Sequence, residues 1–304
     1  KWISAFSFSS PIVATPGAWV LVLYYGLLLA GVFLAGGTGP QKPKAPFRLL
    51  SAGCFGVAFI FLLIQFFPAA PERKTLRLTA VDVGQGTATL VEFPGKAVML
   101  VDGGGFHDNR FDVGRHVVAP FLLSRKIRTL DVVVLSHPHH DHLNGLLYIL
   151  DHFTVREVWA NGEAAETGTY HLFLELLEKR GIPYRKRSAR DDPVTIGGVT
   201  VSLLNPDAPL AGLVPETVES TTNDRSLVLR LTHKKHRFLL PGDISEITEK
   251  RLLQEVRDLE SDVLFAPHHG SSHSSCRPFL KKVRPRHVIM SLGYENPFRF
   301  PSSD

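Results

Sequence analysis

Charge is missing from two long stretches near the start of the chain, residues 19–35 and 49–67, and apolar side chains dominate both. At about 1.5 Å of rise per residue, each approaches or crosses a hydrocarbon layer about 30 Å thick. A buried core helix of that length would show a polar stripe, so the pattern predicts two transmembrane helices, at about residues 19–36 and 49–67. Pro68 and Pro71 mark a boundary, and from Thr75 the period drops to two. Strands are predicted over 76–81, 88–93 and 97–101, with Pro94-Gly95 turning the chain between the second and third. The β-branched run 131–135 reads as a buried strand, with further strands at 155–160, 199–204 and 262–266 and a hairpin at 226–232 and 237–240. Helical spacing covers 113–124, interrupted by Pro120, then 141–151, 169–180 and 246–258; a Pro-rich loop spans 205–222. The chain thus divides into a membrane segment, 1–70, and a second domain, 71–304.

Composition sharpens this division. Hydrophobic residues make up 44% of the chain, yet all 29 acidic residues and all but four of the 34 basic ones lie beyond position 70. The net charge of +5 therefore says little about the second domain. Three of the four early cations, Lys42, Lys44 and Arg48, lie between the apolar runs. The positive-inside rule puts that loop in the cytoplasm and both flanks outside. Arg73, Lys74 and Arg77 act against this, although long domains translocate regardless of such charges. Cys54 and Cys276 make no disulfide framework. A start at Lys1 without a short apolar region and cleavage site argues against a signal peptide and for a fragment of a longer protein, cut short also at Asp304.

The candidate chemistry lies at strand ends. Directly after the 131–135 run comes Ser136-His137-Pro138-His139-His140-Asp141-His142. His137 and His139 can point to one side, whereas Asp141 and His142 are adjacent and diverge, an arrangement that suits two cations better than one. Imidazole and carboxylate ligands favour Zn, Mn or Fe over a thiolate-built structural site. A His-rich surface loop is the plain alternative, and the position straight after a core strand argues against it. Asp102 ends another strand, Asp243 a third, and Pro267-His268-His269-Gly270 follows a fourth. Strands of one sheet bring their ends together on one edge, which makes the recurrence persuasive.

These residues carry a resemblance. His137-x-His139-x-Asp141-His142, with Asp102 before it and Asp243 and Pro267-His268-His269-Gly270 after it, resembles the metallo-β-lactamase superfamily, which implies an αββα sandwich, here preceded by the two transmembrane helices. More narrowly, Val81-Asp-Val-Gly-Gln-Gly86, Asn223-Asp-Arg-Ser226 and Leu240-Pro-Gly-Asp243 are similar to the C-terminal domain of the ComEC family of DNA-uptake channels. The resemblance implies His137 and His139 as ligands of one metal, Asp141 and His142 of a second, and Asp243 between them. His269 would complete the second site, with His268 as alternative, while Asp102 and Asp82 would orient ligands. Asn223 stands where the superfamily usually supplies a third histidine; its carbonyl oxygen shifts preference toward a harder ion such as Mn²⁺. Thr87 replaces an Asp common in ComEC relatives.

The resemblance implies a nuclease that uses two divalent ions, Mn or Zn, to hydrolyse DNA phosphodiesters of the non-entering strand during natural transformation, with Asp141, His142 and Asp243 at the chemistry. Its partners would be DNA, the membrane and other DNA-uptake proteins; its location would be the inner membrane, multi-pass, with the hydrolase extracytoplasmic. Arg185, Lys186 and Arg187, within the basic stretch 179–190, are candidate DNA contacts, with Tyr184 as a stacking partner. The runs 234–237 and 281–286 are further basic clusters. Two other readings stand beside this one: a hydrolase of the same fold acting on another ester, and a degenerate domain that binds DNA or gates the pore.

Overall fold

The computed structural model describes residues 16–36, 45–66, 72–107, 111–208 and 221–302. Most of the loop between the apolar runs, the boundary at 68–71, residues 209–220 of the Pro-rich loop and the last two residues lie outside the described residues. Two compact units are present: residues 1–71 with 122–128, and residues 72–121 with 129–304.

In the first unit, helices α1 (Ala18–Gly36) and α2 (Ala45–Phe66) pack together. Gly31 lets them close: a Cβ there would stand 3.0 Å from the Phe55 ring, and the Ser51 hydroxyl donates to the Gly31 carbonyl at 2.9 Å. Among the described residues only α1 is long and apolar enough to cross a membrane, with mean hydropathy 2.2 over Ala18–Ala35. The second expected span is helical, but its apolar stretch, Ala45–Phe61, is shorter and includes Arg48.

The second unit is a sandwich of two six-stranded sheets. Alternation along each strand divides its side chains between an inner face and a helix-covered outer face. The first sheet contains β1 (Arg77–Ala80), β2 (Thr89–Glu92), β3 (Val98–Val101), β5 (Val132–Leu135), β7 (Val158–Ala160) and β8 (Tyr184–Lys186), in that spatial order. The second contains β9 (Val194–Ile196), β10 (Val199–Asn205), β11 (Val228–His233), β12 (His236–Leu240), β13 (Val263–Phe265) and β14 (His287–Ile289), likewise in sequence order across the sheet. A two-stranded ribbon, β4 (Thr129–Leu130) with β6 (Thr154–Val155), stands apart. Val91, Met99, Val101 and Val134 of one sheet meet Val201, Leu229, Leu231 and Phe265 of the other in the shared core. The outward set of the second sheet, Val228, Leu239 and Leu264, packs with Leu252 of α6 (Glu246–Glu255) and Phe279 of α7 (Arg277–Val283).

Several expected elements differ in detail. The 113–124 helix opens as a π-helical turn, Gly114–Val118, before α3 (Ala119–Ser124). Pro120 has no N–H to continue an α ladder, and the Ala119 N–H bonds the Gly114 carbonyl instead. The expected strand 155–160 is two pieces, because β6 pairs with β4 while β7 joins the large sheet. Strands β8, β9 and β14, each three residues long, are absent from the periodicity reading. Helices α4 (His140–His152) and α5 (Gly168–Arg180) follow the predicted spacing, and Gly181 ends α5 in the left-handed region at φ 62°.

Candidate metal centre

Strands β3 and β5 are parallel neighbours, so Asp102 and Ser136 leave the sheet side by side. Asp102 sits at φ 60°, unusual without glycine, and its amide donates to the Val134 carbonyl at 2.8 Å. That conformation turns its carboxylate inward. One oxygen accepts the Ser136 N–H at 2.7 Å; the other accepts the Ser136 hydroxyl and contacts His142 Nδ1, both at 2.8 Å. A ring nitrogen held by a carboxylate leaves the opposite nitrogen facing outward. His142 Nε2 accordingly faces Asp243, 3.2 Å from Oδ2.

Asp243 arrives from β12 through Pro241-Gly242. Gly242 has φ +60°, and a Cβ there would stand 2.7 Å from the Ser226 Cβ. The Ser226 hydroxyl also accepts the Asp243 N–H at 3.2 Å. From β13 the chain enters a tight turn in which both His268 (φ 47°) and His269 (φ 56°) are left-handed. This backbone separates the two rings. His269 gives Nδ1 to the Ser291 carbonyl at 2.7 Å and places Nε2 3.3 Å from Asp243 and 3.5 Å from Asp141. His268 turns instead to Asn223, with Nε2 3.4 Å from its amide nitrogen.

Asp141, His142, Asp243 and His269 thus bring four ligand-type atoms within 4.8 Å of one another. His142 Nε2 and His269 Nε2 are buried without a hydrogen-bond partner, as is Asn223 Oδ1 at the rim. Buried polar atoms are normally satisfied, and orphaned imidazole nitrogens facing two carboxylates are what a divalent cation completes. The residues fit such an ion. Electrostatics agrees: although burial opposes charge, the close carboxylates of Asp243 and Asp141 push His269 up to about 10. Burial likewise opposes charge on His142, yet Asp243, Asp102 and Asp141 raise it well above its ordinary value.

His137 and His139 lie beside this quartet and outside it. The His137 ring is 4.2 Å from that of His142, but its Nε2 contacts His139 Nδ1 at 3.1 Å, so the two rings share one proton-bearing contact. Its Nδ1 is near the hydroxyls of Ser136 and Ser226, at 3.1 and 3.2 Å. Burial holds both histidines below their ordinary value. Asn223 is held at the rim by its neighbours: Arg225 pairs with buried Glu163 at 2.7 Å, and Asp224 accepts from the Ser245 hydroxyl at 2.7 Å.

Other expected positions fall elsewhere. Asp82 is exposed and accepts the Gly84 N–H at 3.2 Å, so it caps its own turn and does not orient a ligand. The 82–87 loop meets the site through backbone: Thr87 N–H donates to the Asp141 carbonyl at 3.1 Å, and a Cβ on Gly86 would stand 2.4 Å from that oxygen. Arg185 and Lys186 are exposed on edge strand β8, in register with β7 on the side where β5 ends. Arg187 is more occupied, 4.6 Å over the Trp159 ring and 3.1 Å from Asp191. Arg237, Arg284 and Arg286 line a cleft of about 300 Å³ and pair with Asp258, Glu260 and Asp262. Arg237 is the second residue of β12, so that cleft lies at the end opposite Asp243. Ser136, Ser226 and the Ser291 carbonyl support the site although the sequence assigns none of them a role; Ser136 and Ser226 stand only inside quoted motifs, and Ser291 in none.

Comparison with known proteins agrees with this geometry. The family model of the metallo-beta-lactamase superfamily matches residues 81–294. ComE operon protein 3 of Bacillus subtilis is 27% identical over 266 residues, covering 84% of this chain and 33% of the relative. Recombination protein 2 of Haemophilus influenzae is 27% identical, covering 81% and 28%, and competence protein ComA of Neisseria gonorrhoeae 26%, covering 79% and 30%. The chain spans about a third of the length of these relatives. Because the match runs from the loop beneath Asp141 to the segment beyond Ser291, and so takes in every strand end that feeds the cluster, the chain belongs to the metallo-beta-lactamase superfamily and is similar to ComEC-like competence proteins.

Proposed function

We propose that this chain is the metal-dependent nuclease part of a ComEC-like DNA-uptake protein, hydrolysing phosphodiesters of the non-entering strand. The observation that carries the reading is the buried quartet Asp141, His142, Asp243 and His269 with two orphaned imidazole nitrogens. These four would hold one divalent cation, Mn or Zn. His137 and His139, with Asn223 and His268 at the rim, would hold a second, and Asp243 would serve both. The chemistry such ions supply when bound is a lowered water pKa and neutralisation of charge on the phosphoryl oxygens. The protein's own contribution is positional. Asp102 fixes the His142 tautomer, the Ser291 carbonyl fixes that of His269, and burial of Asp243 keeps bulk water from competing.

DNA as substrate is supported by the competence and recombination names of the relatives and by Arg185 and Lys186 on the exposed edge strand. Residues 1–70 would form the membrane segment, with α1 and residues 49–67 as spans of a multi-pass inner-membrane protein. Residues 71–304 would then lie outside, in reach of DNA and of other uptake proteins.

The test uses the purified full chain in detergent, with single-stranded DNA and Mn²⁺, Zn²⁺ or chelator. Cation-dependent cleavage is expected, with about a thousandfold loss in His142→Ala, the order that removal of a key electrostatic group costs. Cleavage that persists in that variant, or metal-loaded protein that leaves DNA intact, overturns the reading. Hydrolysis of a different ester by the same preparation would identify the other substrate class.

A further inference from the structure

Residues 291–302 have two faces. The inner face supports the metal cluster: besides the Ser291 carbonyl on His269, the Ser291 hydroxyl donates to the Gly86 carbonyl at 2.8 Å and the Ser302 N–H to the Gly270 carbonyl at 2.9 Å. The outer face is a groove of about 490 Å³ whose lining includes Tyr294, Glu295, Asn296, Arg299 and Phe300. Tyr294 of this lining is 90% exposed, and Phe298, which lies outside the lining, is 60% exposed. Exposed aromatics that cluster mark a binding surface more often than a packing accident. The Phe298 and Phe300 rings stack, with centroids 5.5 Å apart and planes 21° from parallel. The Phe300 ring in turn lies 6.0 Å from that of His268, which contacts Asn223. An aromatic stair therefore climbs from the rim of the metal cluster to open solvent.

The loop that carries it is cross-linked by hydrogen bonds. The Asn296 side chain donates to the carbonyls of Gly293 and Phe300, at 3.0 and 2.8 Å, and accepts the Phe300 N–H at 2.9 Å. The Gly293 N–H reaches Gln85 Oε1 at 3.2 Å. A loose loop would fold these rings inward to hide them from water; this one holds them out.

We propose that the Phe298–Phe300 stack is a platform for an unpaired nucleobase next to the phosphodiester under attack, which makes single-stranded nucleic acid the substrate. The inference rests on the phosphodiesterase reading of the metal cluster. A base presents a flat π face that continues the stack, and its strand brings phosphates that the exposed Arg299 guanidinium complements. In a duplex those faces are buried between neighbouring pairs, so the platform selects for the single strand. Phe298 is a positioning residue: it orients the strand and does not touch the reacting atoms.

The test measures binding of the detergent-solubilised full chain to fluorescent single strands in chelator, so that cleavage does not intervene. A strand with all its bases should bind about tenfold tighter than one carrying a run of abasic sites, in line with the stacking of one base. Phe298→Ala should erase that difference and Phe298→Trp restore it. With Mn²⁺ present, Phe298→Ala should raise KM about tenfold and leave kcat within about twofold. The added emission of Phe298→Trp, read against the unsubstituted chain, should be quenched by single-stranded DNA. Equal binding of the two strands, or no effect of Phe298→Ala, overturns the platform. Quenching of the Trp variant by brominated phospholipid vesicles in place of DNA would assign the rings to a bilayer and also overturn it. Base-dependent binding without cleavage under any cation retains the platform and removes the phosphodiesterase reading alone.

Discussion

Asp102 shows how much one residue can decide. Its carboxylate serves Ser136 twice and His142 once, and does so from a left-handed backbone whose N–H is bonded to the Val134 carbonyl of β5 and whose next N–H, of Gly103, is bonded to the His142 carbonyl. Asp102→Ala should weaken divalent metal binding by about 10- to 100-fold, the usual cost of losing a ligand's orienting carboxylate. Competition with a chromophoric chelator measures this; unchanged affinity would show that His142 holds its tautomer alone. An Asp at a strand end was legible as either a turn cap or an orienting residue, and for Asp102 and Asp82 the same local signal led to opposite outcomes. Asp82 caps its own turn, while Asp102 faces inward because its neighbouring strand supplies the partners. His268 and His269 are likewise indistinguishable by type, and the left-handed pair of residues decides which ring meets the carboxylates.

At the scale of elements, strand ends and helix starts carry the site, and connections between helices steady it. Glu249 of α6 is fully buried and accepts the backbone N–H groups of Ser275 and Cys276, at 2.5 and 2.8 Å, tying α6 to the turn before α7. Burial raises its carboxyl above the ordinary 4.5, against the lowering effect of those hydrogen bonds. An acid with a raised folded-state value binds its proton more tightly when folded, so the contribution of Glu249 to stability is fully present below about 4.5 and is lost as pH rises through the raised value. The difference in denaturant midpoint between the unsubstituted chain and Glu249→Gln, measured from pH 4 to 7, should fall with this sign. An unchanged slope in the variant would assign the titration to another group. Long helices such as α4 and α5 were legible because their apolar spacing repeats over several turns. Strands β8, β9 and β14 were not: each stands at a sheet edge with no fully buried residue, so it lacks the apolar run that marked the equally short β13.

For the whole molecule, the cluster is a joint between the two sheets. Asp141 and His142 follow the first sheet, while Asp243 and His269 follow the second. A cation that binds only this folded arrangement stabilises both sheets together. At a hundredfold excess over its dissociation constant the gain is about 2.7 kcal/mol, or roughly 5–10 °C in midpoint for a domain of this size. Thermal scans of the full chain with and without Mn²⁺ or Zn²⁺ should show this rise, and Asp243→Ala should abolish it. An equal rise in that variant would place the ion elsewhere. By itself, the sequence determined where strands stop, which side chains stand at those ends, and that the chemistry is of imidazole and carboxylate, because these follow from local periodicity and residue type. Only the tertiary structure decided which ends meet, that His269 and not His268 faces Asp243, and that Arg237, Arg284 and Arg286 lie at the far end in ion pairs. The reason is physical: a strand's own pattern sets the face of each side chain, but neighbours across the sandwich come from pairings between segments about a hundred residues apart, which no local period encodes.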